Sequence, residues 1–113
     1  MSIILETLDR WDRQIILTEG CWENHILNRR PLLRGHLHAV EQVLRFPGRV
    51  TLDANDARRE CFYGRDSAIV EIDVILKVVV EFTYDGPAGS GEIVTVIPMS
   101  PNRVKSGEQH KWP

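Results

Sequence analysis

Long hydrophobic runs are missing from this chain. The longest, Val74 to Val80, is interrupted by Lys77 and falls far short of the roughly 20 apolar residues that cross a bilayer. Cysteine is scarce. Cys21 and Cys61 stand far apart with no CxxC spacing around either, so neither a disulfide framework nor a zinc site is expected to organise the fold. Each reads as a small core or half-buried residue in a reducing compartment. No GxGxxG, Walker loop, HExxH or GxSxG occurs, which removes the common dinucleotide, nucleotide, metalloprotease and hydrolase chemistries. His36 and His38 are spaced i, i+2; on a helix they diverge and cannot chelate one ion. Neither a metal nor another cofactor is expected. The opening Met-Ser-Ile-Ile-Leu-Glu has no basic stretch ahead of its apolar residues, which points to a cytoplasmic protein without a signal peptide.

What is present suits one folded domain over residues 1–113. The chain is 42% hydrophobic and 27% charged, a balance that buries a core and argues against disorder. Net charge is −2, but it is unevenly spread. Residues 25–65 carry eight arginines against four acids, and residues 66–92 carry six acids against Lys77 alone. Such polarity suits a basic, nucleic-acid-facing surface. Solvated arginines on helix and strand faces would give the same count.

Local patterns divide the chain in two. Residues 3–8 and 14–18 read as short strands around the charged turn Asp9–Arg13. Thr18 before Glu19 suits a helix N-cap with an acid in the first turn. In the helix that follows, Trp22, His25, Ile26 and Arg29 are expected on one side. Pro31 opens a second helix whose stripe is Leu33, Leu37, Val40 and Leu44, stopped by Phe46-Pro47-Gly48. The period then changes to 2. Strands are expected at 49–52, 58–63, 70–84 and 92–97, with a Gly-rich hairpin loop over 85–91. In the third of these, Leu76, Val78, Val80 and Phe82 form a core face, and Lys77, Val79 and Glu81 point the other way. The expected fold is α+β: two N-terminal helices packed on a four-stranded, mostly antiparallel twisted sheet, with short N-terminal strands beside it.

Metal-free RNA cleavage is one chemistry that such residues can run, because the 2′-OH supplies the nucleophile. It needs a proton carrier, a cation at the phosphate and hydrogen-bonding groups. His25 lies one turn after Trp22 and one before Arg29, so a proton carrier and a phosphate clamp share a helix side. A boundary histidine packed beside a tryptophan fits the same spacing. Lys77 equally suits pairing with Glu71, Asp73 or Glu81, and Thr95 suits an ordinary strand position.

The order of these pieces adds a resemblance. The run Leu17-Thr18-Glu19-x-x-Trp22-x-x-His25-Ile26-Leu27-x-Arg29-Arg30-Pro31 resembles the opening of the phage-associated barnase–EndoU–colicin–RelE-like nuclease-fold proteins. Leu37-x-x-Val40-x-x-Val43-Leu44-x-x-Pro47-x-x-Val50 is similar to their second helix and following strand. Arg58-Arg59-x-x-Phe62-Tyr63, Leu76-Lys77-Val78-Val79-Val80 and Gly91-x-Ile93-Val94-Thr95 are similar to their strands, and Lys105-x-Gly107-Glu108 with Trp112 to their close. Three positions depart from the family pattern. Arg30 stands where the family has histidine, one extra residue lies between Trp22 and His25, and Ile97 replaces an aromatic.

The resemblance implies a RelE/barnase-like fold and a metal-independent, toxin-like endoribonuclease. His25 would transfer a proton, with Arg29 facing the phosphate. Lys77 would stabilise the phosphate charge and Thr95 would hydrogen-bond the phosphate or 2′-OH. Arg58, Arg59, Arg103 and Lys105 would contact the RNA backbone, and Tyr63 would stack a base or relay a proton. RNA and a protein inhibitor (antitoxin or immunity protein) are the implied partners, with no membrane involved. A non-catalytic RNA- or protein-binding module of the same fold is the alternative.

Overall fold

The computed structural model describes residues 2–65, 75–83, 89–99 and 110–112. Its seven strands are β1 (Ile3–Leu8), β2 (Gln14–Thr18), β3 (Arg49–Leu52), β4 (Arg59–Arg65), β5 (Ile75–Thr83), β6 (Ser90–Met99) and β7 (His110–Trp112). They form one sheet in the order β1-β2-β6-β5-β4-β3-β7. Every neighbouring pair is antiparallel except β2 with β6, which is parallel. The α+β class holds, but the four-stranded sheet is corrected. The two N-terminal strands are part of the sheet, because β2 buries Ile15 and Leu17 in the common core and bonds alongside the start of β6.

Both helical segments also depart from simple α-helices. The Thr18 hydroxyl caps the first by accepting from the Cys21 N–H at 3.2 Å, as the Thr-Glu pair implies. An α-turn at Glu19–Cys21 then gives way to a π-helix over Trp22–Ile26, followed by an α-turn at Leu27–Arg29. The Leu27 N–H bonds to the Trp22 carbonyl, five residues back. A π-turn accommodates one added residue within a helix while its flanks stay helical. The buried residues are consequently Trp22, Ile26 and Leu27, while His25 is half-buried and Arg29 exposed.

The second helix does not start at Pro31. Pro31–Leu33 is a single 3-10 turn, and the α-helix runs over Leu37–Arg45. Between them Gly35 takes φ 84°, a left-handed conformation that interrupts a right-handed helix and suits glycine. The helix buries Ala39, Val40, Val43 and Leu44 and ends at Phe46, just before Pro47, where the stop signal stands.

The helices cover one face of the sheet, where Leu76, Val78, Val80 and Phe82 of β5 meet Val50, Phe62, Ile93 and Val96. A β-bulge between Val79 and Val80 leaves Val94 without a β5 partner. It lets Ile93 and Val96, three apart, both face the core. Gly91 marks a close approach on β6: a Cβ there would lie 2.6 Å from Val80 Cγ1 and 2.8 Å from Phe82 Cε1. Gly91→Ala is therefore expected to destabilise the protein by about 1–3 kcal/mol through overpacking. Urea denaturation checks this, and an unchanged midpoint would contradict the close packing. Among the described residues no helix is long and apolar enough to cross a membrane.

Candidate nucleic-acid interface

The strand register puts Arg49, Tyr63, Lys77 and Ile97 in one cross-strand row. Their neighbours Val50, Phe62, Val78 and Val96 face the helices, so alternation sends this row to the opposite face. Tyr63 is only 4% exposed. The Arg49 guanidinium lies 5.3 Å and the Lys77 ammonium 5.7 Å from its ring centroid, where the negative ring face attracts cations. Thr95 pairs with Val79 on the same face. Lys77 is two residues before Val79, so Lys77 and Thr95 are diagonal neighbours, about 7–8 Å apart in an antiparallel ladder.

The first helix is fixed beside these strands by a residue that the sequence reading left as mere packing. Cys21 is half-buried, and its S–H donates to the Ile93 carbonyl at 3.4 Å and the Val94 carbonyl at 3.6 Å. β2 pairs with β6 only up to Glu92, so Cys21 docks the helix on β6 just past that point. Burial pushes the Cys21 thiol above its ordinary pKa, with a smaller push from the Glu92 carboxylate; it stays a protonated donor. Cys21, His25 and Arg29 recur at i, i+4 and i+8 and share one helix side. Along that side exposure increases, from half-buried Cys21 and His25 to solvent-exposed Arg29.

Of the residues expected at the site, Lys77, Thr95 and Tyr63 are thus brought onto one face. His25 and Arg29 ride on the first helix, whose Trp22, Ile26 and Leu27 pack into the core on the opposite face of the sheet and which Cys21 ties to β6. Tyr63 is buried, with the Arg49 and Lys77 cations beside its ring. Arg58 and Arg59 are tied into an ion-pair network with Asp56 and Glu81, with N···O distances of 3.4–3.7 Å. The network leaves little unbalanced positive charge. The Arg58 backbone N–H and then its side chain hold the Asp56 carboxyl below its usual pKa. Glu81 is four residues along β5 from Lys77, about 13 Å at strand spacing, so this network is separate from the Lys77 row. Of the carboxylates weighed for Lys77, Glu81 is occupied by these arginines. Glu71 and Asp73 lie outside the described residues, as do Arg103 and Lys105.

Sequence reasoning passed over Arg49. Alternation could have found it, since Val50 reads as core and Arg49 must face away. It also read Asp9–Arg13 only as a charged turn. In the structure Asp9 and Glu60 are buried. The Arg13 guanidinium donates to Glu60 Oε2 at 2.8 Å, Glu60 Oε1 at 2.9 Å and, through Nε, Asp9 Oδ2 at 2.8 Å. The same group lies 3.9 Å from the Phe82 ring centroid and 5.1 Å from that of Trp11. Burial opposes the Arg13 charge, but Glu60 and Asp9 together raise its pKa. These bonds tie the β1–β2 loop to β4, a structural role.

Two open recesses lie elsewhere. One of about 370 Å³ is lined by Glu6, Thr7, Leu8, Asp12, Gln14 and Gly89. Another of about 210 Å³ includes Gln14, Ser90 and Glu92. Their carboxylates repel phosphate. Among the described residues no group of three His, Cys, Asp or Glu could hold a metal ion. No family model, curated protein or solved structure matches this chain.

Proposed function

We propose that this protein is a metal-independent, toxin-like endoribonuclease that promotes attack of a 2′-OH on the adjacent phosphodiester. One observation carries the reading. Lys77 and Thr95 are diagonal neighbours on one sheet face, and Cys21 docks the helix bearing His25 onto β6 one and two residues before Thr95. In this reading His25 moves the proton, Lys77 offsets charge building on the phosphate and Thr95 hydrogen-bonds it. Arg49 adds a second cation, and Tyr63 holds both cations in place. Arg29, exposed one turn beyond His25, meets the RNA strand.

The purified protein is expected to cleave single-stranded RNA in excess EDTA and leave 2′,3′-cyclic phosphate ends, and His25→Ala is expected to lose this activity. Equal cleavage by both proteins would trace the activity to a contaminant. No cleavage by the wild type, with salt-dependent RNA binding retained, would select a non-catalytic binding module. Arg30, at the position where the resembling family has histidine, favours that second reading.

A further inference from the structure

With Tyr63 enclosed, the phosphate row has no open aromatic surface for a base, yet one stands a short way along the chain. Phe46 is 70% exposed, the most open large hydrophobic among the described residues. The Arg45 guanidinium lies 5.9 Å from its ring centroid. Among the described residues no carboxylate pairs with Arg45. The connection from this pair to the row is short and anchored. Pro47 is buried, the Gly48 N–H donates to the Tyr63 carbonyl at 2.8 Å, and Arg49 follows opposite Tyr63. Three residue steps separate Phe46 from Arg49, a span of at most about 11 Å.

An exposed phenylalanine beside a guanidinium is the pairing on which unpaired nucleobases stack, with the cation also near the sugar–phosphate chain. A protein-binding hot spot would also use an exposed aromatic. The cations at Arg45, beside the ring, and at Arg49, three residues further along the chain, favour a polyanion. We infer that Phe46 and Arg45 form a base-stacking subsite for an unpaired nucleotide of single-stranded RNA, next to the phosphate held by Arg49 and Lys77. This subsite rests on the proposed ribonuclease reading and deepens it. It would provide affinity without a base preference, because every base presents a π-face.

The test uses the full chain and a fluorescein-labelled 2′-O-methyl oligouridylate, whose blocked 2′-oxygen separates binding from cleavage. By fluorescence anisotropy at low salt, Phe46→Ala is expected to weaken binding about tenfold, and Phe46→Trp to restore it. An abasic oligonucleotide of the same length, which keeps the phosphates, should bind wild type and Phe46→Ala alike. Thermal melts check that both variants stay folded, as a side chain this exposed allows. If Phe46→Ala binds the oligouridylate as wild type does while Arg49→Met weakens it, the subsite is overturned and the phosphate row stands. If the wild type binds no oligonucleotide, both fail. An equal loss on the abasic chain would also overturn the stacking role.

Discussion

Lys77→Met is expected to slow RNA cleavage by about 10²–10³-fold, the usual loss when one preorganised group that stabilises transition-state charge is removed. Methionine keeps most of the volume and the apolar stem of the lysine, so the half-buried site on β5 remains filled. What disappears is the ammonium beside Tyr63. The loss should fall mainly on kcat, because the charge to be stabilised is largest in the pentacoordinate phosphate. Single-turnover cleavage of a labelled RNA in EDTA measures it. Arg49→Met should lose less in the chemical step and more in binding, with a shallower salt dependence, if its contact is electrostatic. Cleavage by Lys77→Met at the wild-type rate would remove this lysine from the reaction.

The largest expected effect on stability is at Arg13. Arg13→Ala leaves the Asp9 and Glu60 carboxylates, with side-chain exposures of 0% and 1%, without the guanidinium that compensates them. Breaking one partner out of a buried ion network costs about 3–5 kcal/mol, a large share of the roughly 5–15 kcal/mol that holds a small protein folded. The stacking of Arg13 on Phe82 and Trp11 is lost as well. Asp9 keeps two bonds, from the backbone N–H groups of Trp11 and Arg13, each at 2.9 Å. The double substitution Arg13→Met, Glu60→Leu should therefore be more stable than Arg13→Ala alone, since the buried Glu60 charge goes with its partner. Urea denaturation of the three proteins checks both statements. An Arg13→Ala midpoint equal to that of the wild type would mean that the network contributes little.

The elements governed by nearest neighbours were readable. Thr18 capping the first helix, the stop at Phe46-Pro47-Gly48 and the alternation of β5 all follow from contacts within a few residues. So does Lys77 facing away from the helices, because parity along a strand is a local property. Cys21 read as a core or half-buried residue, and it is half-buried, but its bonds to Ile93 and Val94 were not visible. They depend on where β2 leaves β6. The π-turn at Trp22–Ile26 was hidden for a related reason. The bond from the Leu27 N–H to the Trp22 carbonyl, five residues back, belongs to the folded helix.

Residue order alone determined the α+β class, the core face of β5 and the residue types able to run metal-free phosphoryl chemistry. Short-range sterics and side-chain alternation are sufficient for these. Only the tertiary structure decided that β2 joins β6 in parallel, that Arg13 bridges two buried carboxylates, and that Tyr63 is enclosed between cations. Each of these needs groups distant in the chain to meet, and the free energy of such a meeting comes from burial and register rather than from any local pattern.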